Sequence, residues 1–399
     1  MKILIVSQYY YPDPFSVALV AEHLVETGND VTVLTGLPNY GYYKIIPGYE
    51  NKKFEIVNGV KIHRVKVVPR KGSKISIIRN YMSFWRNAKK YVKKLDKDFD
   101  IVYSMSLSPV ISIAPAIKYA KKHKIKHVLH CLDLWPESVI VTGMVKPNSV
   151  MYRVLLKWSK KLYNSTDEIL VSSPSFKDYL KEVIGYNIDN CKYIPQLTNE
   201  YKIPSKDKVI EYDKTYLNLV YCGNIGKMQL IKEMIDAIDI ARKSIKIRMY
   251  IIGLGSLKDY LFTEIKNRGL EENIIYLGAI KSDIAIKYFQ DADALYLGLA
   301  DSGVVGKTIP NKLTFYMSQK KPIIAAINGD GREVLKNANG SIICECDAES
   351  LTEAFIKFDS LTAMEKNELA KNNYKYYKEN FENKILINQI EYELKKLVD

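Results

Sequence analysis

Short apolar runs without polar alternation recur along this chain, each followed by a helical pattern. This repetition restricts the fold more than any other feature. KILIVS, DVTVLT, FDIVYSM, HVLHCL and EILVSS occupy the first half of the sequence. A strand that is apolar at successive positions is covered on both faces, as in a parallel sheet. Strands alternating with helices build a doubly wound α/β domain. After the first run, VALVAEHLVETG has helical spacing and stops at Gly28. The theme restarts at LNLVYCG and continues through IRMYIIG, NIIYLG, ADALYLG and KPIIAA. The sequence therefore predicts two Rossmann-like domains, residues 1–198 and 199–375. The boundary falls in the charged, proline-containing stretch 193–216. Residues 376–399 read as a C-terminal helix packing back on the first domain.

A chain of 399 residues, 47% hydrophobic and 26% charged, has the composition of a globular protein of two domains. The first apolar run, Ile3 to Val6, ends in tyrosines and prolines rather than a cleavage site, so it does not read as a signal peptide. No apolar stretch approaches the roughly 20 residues that span a bilayer. The expectation is a cytoplasmic protein, soluble or peripheral on the inner face of the plasma membrane. The five cysteines read as reduced core thiols, and Cys344-x-Cys346 lacks a second pair at zinc spacing. Neither a metal nor a cofactor is expected. Residues 1–200 hold 30 Lys and Arg against 17 Asp and Glu, whereas residues 201–399 hold 29 against 28. An excess confined to one half suggests that this half meets a polyanion or an anionic membrane, with a solubilising lysine surface as the plainer reading.

Ligands of open α/β sheets bind outside the carboxyl ends of the strands, which gives weight to motifs at strand ends. CGNIGK, from Cys222 to Lys227, is one. Gly223 and Gly226 let a ligand approach the backbone, a following helix offers free N–H groups, and Lys227 adds charge. A diphosphate site and a tight turn with a solvated lysine fit equally. GVVGKTIPNKL is a second, with Pro310 and Asn311 as a helix start, Asn311 as N-cap and Lys312 in the first turn. A cation there opposes the helix dipole unless an anion lies between them.

HCLDLWPES, from His130 to Ser138, ends a strand of the first domain. Asp133 and Glu137 are carboxylates for sugar hydroxyls or an acceptor proton. Trp135 offers a flat face, and His130 reads as a core histidine. The stretch from Arg70 to Lys97 carries Ile78, Met82, Trp85, Ala88, Val92 and Leu95 near helical spacing, with basic residues between them. It reads as a basic amphipathic helix for an anionic membrane, or as a surface helix packed on its own sheet.

Taken in order, KILIVSQYYYP, LTGLPNYG, DLWPES, GNIGK, TIPNKL and YMSQKKPIIA resemble a family 4 retaining glycosyltransferase with the GT-B fold, two Rossmann-like domains facing across a cleft. The similarity runs along essentially the whole chain. It is greatest to the bacterial branch that builds surface polysaccharide and O-antigen units, N-acetyl-fucosamine transferases included. The resemblance implies a UDP-sugar donor, with an N-acetylated amino sugar, on the second domain. The loop Gly223, Asn224, Ile225, Gly226 and Lys227 would hold the pyrophosphate. Ala279 and Ile280 would read the base. Thr308, Ile309, Pro310 and Asn311 would form the donor turn, with Lys312 neutralising the leaving UDP. Asp133 would face the transferred sugar, and Ser16, Trp135 and Glu137 would lie on the acceptor side.

The resemblance further implies transfer with retention and without a metal, to a polyprenyl-diphosphate-linked saccharide. Three departures stand out. Lys307 and Phe315 replace two glutamates of many relatives, the second of which binds ribose. PDPFSV, with Ser16, replaces a glycine pair, and Leu132 replaces a histidine. A UDP-sugar 2-epimerase and a degenerate scaffold are the alternatives. A nucleic-acid partner explains the charge but not the two phosphate-type loops, so none is expected.

Overall fold

The computed structural model describes residues 1–41, 43–71, 73–141, 143–198, 211–303, 306 and 308–398, apart from the side chain of Ser282. Lys307 and much of the 193–216 stretch lie outside the described residues. The chain divides into two compact units, Met1–Leu197 with Asn383–Asp399, and Thr198–Glu382.

The first unit holds β1 (Lys2–Val6), β2 (Asp30–Gly36), β3 (Phe54–Val57), β4 (Val60–Val65), β5 (Ile101–Ser106), β6 (Lys126–Cys131), β7 (Glu168–Val171) and β8 (Cys191–Tyr193). Their order is β3-β4-β2-β1-β5-β6-β7-β8, parallel except for the β3–β4 hairpin. In that hairpin β3 alternates exposed with half-buried positions and β4 alternates buried with half-buried ones before its last two residues, unlike the apolar runs. The second unit holds β9 (Leu217–Cys222), β10 (Ile247–Ile252), β11 (Ile274–Gly278), β12 (Ala294–Gly298), β13 (Ile323–Ala326) and β14 (Ser341–Cys344). Their order is β11-β10-β9-β12-β13-β14, all parallel. Both sheets are doubly wound, as the unalternated runs require. The central strands β5 and β12 are buried along their whole length.

Two expectations need correction. The chain does not break near residue 375. The helix Ala363–Asn380 carries Tyr377 into the second unit's interior, and the break comes at Phe381 and Glu382. The last helix, Asn383–Lys396, belongs to the first unit. It packs Leu386, Ile387, Ile390 and Leu394 with Val17 and Leu24, and its Glu391 accepts hydrogen bonds from Thr27 and Asn29.

The basic helix, Lys74–Tyr91, turns only the C-terminal half of the expected stripe inward, with Ala88 buried, Met82 and Trp85 half-buried and Ile78 on the surface. It buries Ser76, Asn80, Phe84 and Ala88, while Ile78 is 54% exposed. The reason is a polar network. Asn80 accepts from Gln8 and Tyr9 and donates to Asn39 and the Val68 carbonyl. An amide satisfied on four sides is a stable core residue, so the helix is rotated away from the phase its apolar residues suggest. Val92 and Leu95 are buried as expected.

Because Ile390 is fully buried against the first unit, Ile390→Ala is expected to destabilise that unit by about 2–5 kcal/mol. A fall in its urea unfolding midpoint at unchanged slope checks this.

Candidate functional site

The carboxyl ends of β9, β10 and β11 open into a cavity of about 460 Å³ in the second unit. Gly223 and Asn224 follow β9, Gly253 and Leu254 follow β10, and Ala279 and Ile280 follow β11. The other wall comes from the helices Ser282–Asp291 and Asn311–Ser318, through Ala285, Ile286, Phe289, Asn311, Lys312 and Phe315. The loops meet closely because their glycines have no side chains. A Cβ on Gly253 would lie 1.9 Å from the Gly223 carbonyl oxygen, and one on Gly223 would lie 2.6 Å from Lys312 Nζ.

Lys312 dominates this cavity. Tyr316, one turn further along its helix, donates to the Cys222 carbonyl and accepts from the Cys222 amide, which ties the helix to the end of β9. The Lys312 ammonium then lies 3.8 Å from the centre of the Tyr221 ring, buried and without a hydrogen-bond partner among the described residues. Burial lowers its pKa from the ordinary 10.5 to about 7. A desolvated cation over an aromatic face gains about 2 kcal/mol, less than a buried charge costs. A diphosphate bridging Lys312 and the Gly223 loop would restore the missing interactions.

The first unit has its own cavity, of about 270 Å³, lined among others by Tyr9, Tyr40, Arg70, Tyr81, Asp133 and Trp135. The Arg70 guanidinium lies 5.1–5.4 Å from three tyrosine ring centres and donates to the Tyr81 hydroxyl at 2.8 Å. Burial raises the Asp133 carboxyl to about 7. Asp13, just behind this wall, rises to about 6 through burial, despite accepting from the Tyr40 and Asn39 amides. Trp135 is held by a 2.6 Å hydrogen bond from its Nε1 to Ser108. The cavity combines one cation in an aromatic cage with a carboxyl group that titrates near neutrality.

Residues 15–198 match the family described as Glycosyltransferase Family 4, and residues 202–377 match Glycosyl transferases group 1. Both halves of the chain are glycosyltransferase domains. A curated relative, the probable glycosyltransferase WbjE of Pseudomonas aeruginosa, is 26% identical over 226 residues, and the match spans 53% of each protein. Among solved structures, Anabaena Alr3699/HepE in complex with UDP aligns with a TM-score of 0.69 at 13% identity, covering 99% of this chain and 100% of that one. Sucrose-phosphate synthase from Thermosynechococcus elongatus aligns at 0.73 and 15%, covering 100% and 99%. The fold is GT-B, with two parallel-sheet Rossmann-like domains.

In these glycosyltransferase domains, several residues of the expected site stand apart from the cavities. Gly223, Asn224, Ala279, Ile280, Asn311 and Lys312 line the second-unit cavity, as does Phe315. Lys227 does not. It is exposed on the short turn Lys227–Gln229, and the long helix starts only at Ile231. Ile225 is a core residue bonded through its backbone to Leu254 and Leu257, and Gly226 leaves room for Asn224 and Gln229. Pro310, not Asn311, occupies the N-cap; Thr308 and Ile309 precede it and do not line the cavity.

In the first unit, Asp133 and Trp135 line the cavity, but Glu137 does not. Its carboxylate accepts from the Tyr152 and Tyr179 hydroxyls, a packing role. Ser16 is buried at the helix start, while its neighbour Phe15 reaches the cavity. His130 is a core histidine between Tyr103 and the Ile194 carbonyl. Arg70, Tyr9, Tyr40 and Tyr81 were missed as site residues. Arg70 sits at the edge of the basic stretch and Tyr9 in the tyrosine run, but no local pattern joins them.

Above pH 7, Lys312 is expected to be largely neutral until an anion binds. From this group, the unliganded protein gains stability as pH rises from about 7 towards 10.5, where the unfolded chain holds more protons. Pyrophosphate binding at pH 8 is then expected to take up most of one proton. Calorimetry in buffers of different ionisation enthalpy checks this, and Lys312→Met is expected to abolish the uptake.

Proposed function

We propose that this protein is a retaining glycosyltransferase that moves a sugar, an N-acetylated amino sugar by its sequence resemblance, from a UDP-sugar on the second domain to a saccharide acceptor bound by the first. The observation that carries the reading is the partnerless ammonium of Lys312 against the Gly223 loop. It is a cation built into a cavity that supplies no anion of its own among the described residues. The complex of Alr3699/HepE with UDP supports a uridine nucleotide as the donor.

In this reading Gly223 and Asn224 hold the pyrophosphate, and backbone groups at Ala279 and Ile280 read the base. Lys312 stabilises the charge that grows on the departing diphosphate, which is where preorganised electrostatics contribute most. The acceptor oxygen attacks from the face that UDP leaves, so configuration is retained and no metal is needed. Asp133, near its midpoint at neutral pH, bonds a sugar hydroxyl or receives the acceptor's proton. Arg70 in its tyrosine cage suits a saccharide carrying a phosphate. A polyprenyl-diphosphate-linked acceptor, for O-antigen, capsule or exopolysaccharide, unites these features, and the similarity to WbjE favours that setting.

Such an acceptor places the enzyme on the inner face of the plasma membrane. Among the described residues no helix is long and apolar enough to cross a bilayer, so the contact is peripheral. The surface that best supports it is not the whole stretch from Arg70 to Lys97. On the helix Val150–Tyr163, Val150 (78% exposed), Met151, Val154 and Trp158 (48%) form an exposed ridge. Arg153, Lys157, Lys160 and Lys161 flank it and form no ion pair among the described residues. Lys74 reaches the Gly143 carbonyl nearby, next to the exposed Ile75 and Ile78. An apolar ridge with about 1 kcal/mol per basic residue near an anionic surface suffices for reversible docking.

Thermal unfolding with a panel of nucleotides and nucleotide sugars tests the donor. A ligand at 100 times its dissociation constant stabilises by about 2.7 kcal/mol, and UDP with one UDP-sugar is expected to do so. Lys312→Ala is expected to cut turnover about 100-fold, while the unliganded melting temperature at pH 7 stays level or rises. Turnover is expected to survive EDTA. Conversion of the sugar without acceptor would favour the epimerase, and no nucleotide shift would favour the scaffold. For the membrane, Trp158→Ala with Lys157→Glu and Lys161→Glu is expected to reduce co-sedimentation with anionic vesicles more than charge removal at Lys89, Lys90 and Lys93 does. Equal loss from both sets would return the contact to the longer basic stretch.

A further inference from the structure

The cavity of the second unit has an unusual chemical balance. Among the described residues its side chains include one ammonium, two amides and one thiol, and no carboxylate or hydroxyl. The amides are partly engaged, Asn224 with Gln229 and Asn311 with the Thr314 hydroxyl.

Strand order locates what lies where. Gly223 follows β9 and Ala279 follows β11, with β10 between them. Two strand spacings separate these loops by roughly 10 Å. A nucleotide with its diphosphate at Gly223 and Lys312 and its base at Ala279 and Ile280 therefore carries its pentose across the middle. The side chains that line the rest of the cavity are Ile252, Leu254, Ala285, Ile286, Phe289 and Phe315. Phe315 lies one turn after Lys312 on the same helix. Its ring meets Phe289 edge to face, with centroids 5.8 Å apart.

We infer that this cavity does not read the 2′-hydroxyl of the pentose, and that Phe315 makes it so. A 2′-deoxynucleoside diphosphate sugar then serves as donor as well as its ribose counterpart. A hydroxyl moved from water onto an aromatic wall loses hydrogen bonds and gains none. A pentose without it gives up nothing at this site. The inference rests on the nucleotide-donor reading above and deepens it.

The test compares UDP with 2′-deoxyuridine diphosphate by calorimetry on the full chain. The two differ by one oxygen. Dissociation constants within threefold of each other, or a tighter deoxy form, are expected. A site that hydrogen-bonds a substrate hydroxyl normally discriminates tenfold or more, so UDP binding tenfold tighter would overturn the inference and leave the donor reading intact. Binding of neither nucleotide would overturn the donor reading itself, and this one with it. Phe315→Glu, which supplies an acceptor at the pentose, is expected to create a preference for UDP of tenfold or more. Phe315→Gln offers the same acceptor without a charge. A folded variant of either kind that still bound both equally would remove Phe315 from the specificity role.

Discussion

The second unit is organised around one unfavourable placement, the Lys312 ammonium held out of water in the first turn of a helix whose dipole repels it. Three neighbours make that placement tolerable. Gly223 withholds a Cβ that would meet the ammonium, Tyr221 offers a ring face, and Tyr316 fastens the helix to the end of β9. Together they reduce the cost without removing it, and the lysine's pKa falls to about 7 in consequence. A shift of that size corresponds to several kcal/mol held against the charged state. The site is therefore preorganised in geometry for an anion, whose arrival restores the charge that burial disfavours.

The first unit solves a related problem differently. Its cation, Arg70, is surrounded by aromatic faces and held by Tyr81, and its carboxyl groups are neutralised in part by burial. The support comes from the Asn80 network, which joins Gln8, Tyr9 and Asn39 behind the cavity wall. The same network decides which face of the helix Lys74–Tyr91 turns inward. Packing of the interior and construction of the cavity are thus one arrangement, and the apolar residues displaced from the interior, Ile75 and Ile78, become surface.

Much of this was legible in the chain. Runs such as HVLHCL and ADALYLG became central parallel strands, Gly28 sits at positive φ just beyond its helix, and Lys312 lines the cavity with the glycine loop. The expected site residues that do not line a cavity share a cause. Lys227 and Lys312 both follow glycine-rich loops at strand ends, yet the first is solvated and the second buried. Glu137 and Asp133 lie four residues apart, yet one accepts from two tyrosines and the other lines a cavity. Asn80 lies outside any apolar pattern of the sequence and is the centre of a buried network.

The sequence by itself determined the order and type of the main elements, the restart that makes two doubly wound sheets, and the chemical groups at the strand ends. Periodicity and residue type are local properties, and a strand covered on both faces must be apolar throughout. Only the tertiary structure decided which of those groups lose their water. Desolvation depends on atoms brought together from distant segments, so Lys312 titrates near 7 because Tyr221 and Gly223 close over it. Its place in a helix's first turn marks Lys312 in the sequence, but its loss of water depends on residues far from it in the chain.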